Sequence, residues 1–206
     1  MYYGQKIDGK PVDQKILEVF PQLNKSDGFF IECGACDGIV DSSCLFFEKL
    51  GWKGINIEPF KEMFDRLVKN RSGLINLNVA LSDYNGKANF ASTLNTFIGC
   101  GSIDGPNDYL INQLRGNKHI IYSTVETITY KNLIEKQNVK VVDLFVLDVE
   151  GHEIKVINGM KDCDVLPEAF VIEYGHVGFK DLNDVVIGLR YKLMDKDSVN
   201  CFYQKA

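Results

Sequence analysis

The feature that most constrains this chain is a repeated alternation of short apolar runs with stretches of helical periodicity. Phe29-Phe30-Ile31, Gly54 to Glu58, Leu74 to Ala80, Asp143 to Asp148 and Ala169 to Tyr174 are all strand-length. Thr124 to Thr129 reads as a further strand. Between them, Leu45, Phe46, Phe47 and Leu50 follow the caps Asp41-Ser42-Ser43 and stop at Gly51. Phe60, Phe64, Leu67 and Val68 share one helical face after Pro59, and Leu133-Ile134, Glu153 to Met160 and Asp181 to Leu189 are also helical. Strands separated by helices in this way are βαβ units around a mostly parallel sheet covered on both faces. Val12 to Leu23, with Ile16, Leu17 and Phe20 at helical spacing, reads as a helix inside a lead-in over residues 1–27. Tyr191 to Gln204 reads as a closing antiparallel pair. At 206 residues and 45% hydrophobic, the length suits one domain with its own core. The prediction is an α/β fold over residues 1–206, with seven strands, helices on both faces and an antiparallel closing strand.

Ser92 to Ile120 breaks the rhythm. It is rich in Asn and Gly, contains Pro106, and has one helical hint at Tyr109 to Leu114. So long a loop in a compact domain is expected to be a lid that binds the acceptor. The net charge of −5 argues against a large nucleic-acid face. The lid offers little to RNA, with Arg115, Lys118 and His119 near Tyr109 and Tyr122. Met1 to Lys10 is polar, so no secretory signal is expected, and runs such as Leu144 to Leu147 are too short to span a membrane. Six scattered cysteines fit reduced thiols and a cytoplasmic protein. Cys33-x-x-Cys36 has the spacing of a redox pair or half a zinc site, but no second pair completes four ligands, so small, semi-apolar packing is expected.

Ligands of open parallel sheets bind beyond the carboxyl ends of the strands. Here the first such loop is Glu32-Cys33-Gly34-Ala35-Cys36-Asp37-Gly38. Against a dinucleotide fingerprint, Cys36 occupies the second glycine, the one that admits a pyrophosphate, and no P-loop occurs. What remains is an acidic-x-Gly-x-x-x-Gly loop, the pattern of Rossmann-like methyltransferases that bind S-adenosylmethionine. That ligand has no phosphates; it needs close backbone approach and carboxylates to answer its positive charges. Glu58, roughly 20 residues beyond Gly38 at a strand end, can accept both ribose hydroxyls.

Gly28-Phe-Phe-Ile-Glu-Cys-Gly-Ala-Cys-Asp-Gly38, Leu45-Phe-Phe-Glu-Lys49 and Gly51-Trp-Lys-Gly-Ile-Asn-Ile-Glu-Pro59 resemble the front half of FkbM-type methyltransferases. Asp143-Leu-Phe-Val-Leu-Asp-Val-Glu-Gly-His-Glu153 is similar to that family's second hallmark. Cys36 departs from the more usual Asn or Gly, and Ser43-Cys44 from Asn-Thr. The resemblance implies S-adenosylmethionine as cofactor and a hydroxyl of a sugar or glycan as acceptor. By it, Glu32, Gly34, Asp37, Glu58 and Pro59 line the cofactor site, with Ala35 and Gly38 in the same loop. Asn78 and Ser82-Asp83 lie near the adenine, and Asp148, Glu150 and His152 face the methyl. A homodimer, or a module working beside a glycosyltransferase, is the partner expected. An RNA- or protein-directed enzyme and a silent nucleoside-binding scaffold are the alternatives. Adenine and glutamine methyltransferases carry a Pro-Pro turn after the fourth strand, where this chain has Asp148-Val149-Glu150-Gly151.

Methyl transfer to a hydroxyl needs positioning and a base. His152 is the expected base, working beside Asp148, which orients a histidine, acts as base itself or binds the ligand's amino group. His176 is the alternative. A metal is not expected; the alternative is Mg²⁺ on Asp148, Glu150, Glu173 and His176, which sit at adjacent strand ends.

Overall fold

The computed structural model describes residues 1–93, 101–105 and 120–206. A hairpin, β1 (Lys6–Ile7) and β2 (Lys10–Pro11), precedes α1 (Val12–Val19). Then β3 (Phe29–Cys33), α2 (Leu45–Lys49), β4 (Lys53–Ile57), α3 (Lys61–Asn70) and β5 (Ile75–Leu77) alternate. Four strands follow: β6 (Ala80–Ser82), β7 (Gly86–Thr93), β8 (Ser102–Ile103) and β9 (Ile120–Thr129). The alternation resumes with α4 (Tyr130–Lys136), β10 (Leu144–Leu147), α5 (Glu153–Asn158), β11 (Ala169–Glu173) and α6 (Phe179–Gly188). An antiparallel pair, β12 (Tyr191–Lys196) and β13 (Asn200–Lys205), closes the chain.

The main sheet has seven strands in the order β12-β13-β11-β10-β3-β4-β5. Strands β11, β10, β3, β4 and β5 run parallel, while β13 is antiparallel to its neighbours β11 and β12. This is the predicted Rossmann-like architecture, and side-chain alternation explains it. Phe30, Leu144, Val146, Ala169 and Val171 pack with Val12, Ile16, Phe47 and Trp52 on one face. Their neighbours Ile31, Phe145, Leu147, Phe170 and Ile172 pack with Leu133, Val156, Ile157 and Leu182 on the other. Both faces are buried, which is why these strands read as continuous apolar runs.

Two features differ from the expectation. The single strand expected over Leu74 to Ala80 is two strands in two sheets. Pairing with β4 ends at Ile57↔Leu77, and Asn78 Nδ2 turns back to donate to the carbonyls of Glu58 and Pro59, each at 2.9 Å. The chain then enters a second sheet in the order β6-β9-β7-β8, which was not anticipated. Its long pairing runs from Gly86↔Thr127 to Thr93↔Ile120, over a small core of Ala80, Ala88, Phe90 and Val125. Of the expected lid, Ser92 and Thr93 belong to β7, Ser102 and Ile103 to β8, and Ile120 to β9. Residues 94–100 and 106–119, including His119 and the helical hint at Tyr109 to Leu114, lie outside the described residues. Among the described residues, no helix is long and apolar enough to cross a membrane.

Candidate active site

A cleft of about 420 Å³, open mouth included, lies at the carboxyl ends of β3, β4 and β10. The loop after β3 forms its base. Gly34 and Ala35 both donate their amides to the Ile57 carbonyl, at 3.0 Å each. Gly34 has φ +87°, and a Cβ there would stand 1.8 Å from the Asp148 carbonyl oxygen. Glycine is therefore required by the close passage of the loop past β10. The next turn is tied by Gly38 N donating to Ala35 O at 2.8 Å and by Asp37 Oδ1, which accepts from Ile39 N and Val40 N at 2.9 Å.

Glu32 shares the parity of Phe30 along β3, and its contacts lie away from the cleft. Ser42 Oγ donates to its carboxylate at 2.9 Å, Cys44 N donates at 3.0 Å, and the Arg71 guanidinium stands 3.5 Å away. Burial raises the Glu32 pKa, and Arg71 opposes that rise. Arg71 also donates to Gly38 O at 2.9 Å and to Ser42 Oγ at 3.1 Å, and contacts Glu48. Ser42 Oγ in turn accepts from the amide of Leu45, the first residue of α2, at 3.1 Å. The acid that opens the motif thus shapes the loop from behind.

Glu58 lines the cleft and is buried at the end of β4. Its Oε2 accepts from Cys36 N at 2.9 Å and its Oε1 from Phe60 N at 2.7 Å. Burial pushes its pKa up to about 7, against the pull of those two amides. A carboxylate has about four acceptor sites, so two remain for ribose hydroxyls. Pro59, Leu81, Phe90 and Ile103 give the cleft apolar walls suited to a nucleoside base. The residues present thus fit a nucleoside ligand without phosphates.

The opposite wall carries the charges. Asp148 is open to the cleft, yet enough protein surrounds it that desolvation raises its pKa, against a hydrogen bond from Glu173 and the charge of His176. Burial, and then the charge of Asp148, push the Glu173 pKa up. Glu150 takes a left-handed φ of +56° in the turn after β10. Glu153 Oε1 braces that turn by accepting from Val149 N at 3.1 Å and Gly151 N at 3.2 Å. Burial pushes Glu153 up to about 7. His152 caps the start of α5, with Nε2 3.0 Å from the buried Ser82 Oγ; burial lowers its pKa.

Of the residues expected at the site, Gly34, Glu58, Pro59, Asp148 and Glu150 line the cleft. Ala35, Asp37, Gly38 and Asn78 shape the loops that carry them. Ser82 and His152 pair with each other, and Asp83 pairs with Lys155 at 3.2 Å, none of the three being part of the lining. Sequence reasoning missed Glu153 and the wall formed by Ala80, Leu81 and Phe90, while Gly101 and Ile103 of the same wall fall within the expected lid. Cys33 and Cys36 are both buried, as packing residues are.

A family model described as the methyltransferase FkbM domain matches residues 32–192. None of the curated proteins matches the sequence. Among solved structures, the METTL16 MTase domain is similar at a TM-score of 0.53 and 10% identity, covering 95% of this chain and 66% of that one. The protein yhhF from Escherichia coli is similar at a TM-score of 0.51 and 10% identity, covering 98% of this chain and 88% of that one. At such identities the likeness is one of fold.

Proposed function

The chain belongs to the FkbM methyltransferase family, and on that premise we propose that it methylates a hydroxyl of a sugar or glycan, with Asp148 as the base. It is an S-adenosylmethionine-dependent methyltransferase. The observation that carries the finer reading is the carboxylate wall of the cleft, where Asp148 is exposed and Glu150 lines the surface. Carboxylates accept hydrogen bonds from sugar hydroxyls and repel phosphates. The chain's net charge of −5 acts in the same direction, against an RNA acceptor.

Bound adenosylmethionine supplies a methyl group on a positively charged sulfur, which keeps the bonding electron pair when the methyl leaves. Glu58 and the Gly34 loop hold the nucleoside, and Phe90 and Ile103 shield it from water. Asp148 accepts the acceptor's hydroxyl proton as the new carbon–oxygen bond forms, and passes it to water through the open cleft. We assign the base to Asp148 rather than to His152, because the Nε2 of His152 is engaged by Ser82 and the ring is not part of the cleft lining. In this reading the segment over residues 92–120 completes the acceptor pocket.

Incubation with labelled adenosylmethionine and nucleotide sugars, free glycans or RNA tests the reading. Label should enter a glycan or sugar and be lost in Asp148→Asn. Label in RNA and in no glycan would refute it.

A further inference from the structure

Three side chains from two neighbouring strand ends converge beside the cleft. Glu150 Oε2 lies 2.9 Å from His176 Nε2, and Glu173 Oε2 lies 3.9 Å from the same nitrogen. One ligand atom from each of Glu150, Glu173 and His176 falls within 4.8 Å of the other two. That spacing suits three ligands sharing one ion at about 2.0–2.6 Å from each. The fold brings them together because β10 and β11 are parallel and end in register, with Leu147 opposite Ile172. Glu173 ends β11, His176 follows in the next turn, and Glu150 stands in the turn after β10.

An independent observation at the same place points to a cation. Glu173 Oε2 is a buried oxygen with no hydrogen-bond partner. Leaving a buried acceptor bare is costly, so native structures usually satisfy such atoms. The Glu173 carboxyl also neighbours the carboxyl groups of Asp148, Glu150 and Glu153. A bound cation satisfies the bare oxygen.

We propose that Glu150, Glu173 and His176 bind a divalent cation in the wall of the cleft, whose remaining coordination positions take the acceptor's hydroxyl oxygen. Two carboxylates and an imidazole suit ions of the Mn²⁺, Fe²⁺ and Zn²⁺ class, whereas Mg²⁺ and Ca²⁺ favour oxygen alone. The ion acts as a Lewis acid on the hydroxyl and makes its proton easier for Asp148 to take. This replaces the expectation of a metal-free site. Binding of the ion stands by itself, and its contact with the acceptor rests on the proposed methyl transfer.

The test titrates EDTA-stripped full-length protein with Mn²⁺ in a calorimeter, without cofactor or acceptor. Saturable binding is expected, weakened roughly 10-fold or more in His176→Ala and in Glu173→Gln. Glu62→Gln, on the exposed face of α3, should bind as the wild type does. Adenosylhomocysteine affinity, measured without metal, should be unchanged in all three variants, which separates lost ligation from lost folding. Absence of saturable Mn²⁺ binding, or equal binding by His176→Ala, overturns the site. Glycan methylation that survives EDTA overturns the contact with the acceptor. If no glycan accepts methyl at all, the proposed function fails, and the Mn²⁺ titration still decides the site.

Discussion

Replacing Arg71 with Met removes the cation from a buried cluster while keeping a side chain of similar length. Arg71 is 1% exposed and Glu32 is 4% exposed. The substitution deletes the donors to Gly38 O and Ser42 Oγ and leaves Glu32 without its counter-charge. Removing one partner of a buried ion pair costs about 3–5 kcal/mol. In a chain of this size that lowers Tm by roughly 6–20 °C. The sign of the pH dependence follows from Glu32. Burial already raises its pKa while Arg71 pulls it down, so the variant's Glu32 is raised further. A carboxyl raised in the folded state contributes stability that is complete below its unfolded value of 4.5 and is lost as pH rises through the folded value. The gap in stability between wild type and Arg71→Met should therefore be small in acid and widen toward neutral pH. Urea denaturation followed by Trp52 fluorescence measures it, with Glu32→Gln/Arg71→Met recovering part of the loss. A gap that does not change with pH, with no recovery in the double variant, would refute the idea that Glu32 depends on the charge of Arg71.

Glu58→Ala should weaken adenosylhomocysteine binding by at least ~1.5 kcal/mol in calorimetry, the scale of a hydrogen bond to a charged group. Because the Glu58 pKa is raised to about 7 and the ribose hydroxyls donate to its ionised form, wild-type affinity should fall as pH drops through that value. The linked stability has the opposite sense, being complete below 4.5 and lost as pH rises through about 7; a pH-independent affinity would remove Glu58 from the ribose. Asp148→Asn should lower kcat by roughly 10²–10⁴-fold with cofactor affinity nearly intact. If kcat stays near normal there and collapses in His152→Ala, the base is His152. Gly34→Ala should cost about 1–2 kcal/mol for its left-handed backbone alone, and more for the contact with Asp148 O, read as a lowered Tm; wild-type stability would show that the loop yields there.

The main sheet was legible because its strands are buried on both faces, so burial itself writes a continuous apolar run. Glu58 and Asp148 were legible for the same reason, since each is the first acid after such a run. The second sheet left no comparable mark. Gly86 to Thr93 sends Ala88 and Phe90 into a small core, and its partner β9 lies far along the chain. Backbone pairing at that distance has no signature in local pattern. Glu32 is different, because strand parity alone sets it apart from its cleft-lining neighbour Cys33. Glu153 looked like an ordinary acid in the first turn of a helix. Only the folded chain shows its carboxylate reaching back to the amides of Val149 and Gly151.

Thr93 and Ile120 face each other at the last rung of the β7–β9 ladder. The connection between them, which includes β8 paired with β7, thus has its two ends one strand spacing apart. Closing a longer connection across such a gap costs little, about 0.6 kcal/mol for each doubling of its length. Glu58 and Asp148, which follow strands of the other sheet, are not part of that connection. A change of length in that connection therefore leaves in place the strand ends that carry Glu58 and Asp148.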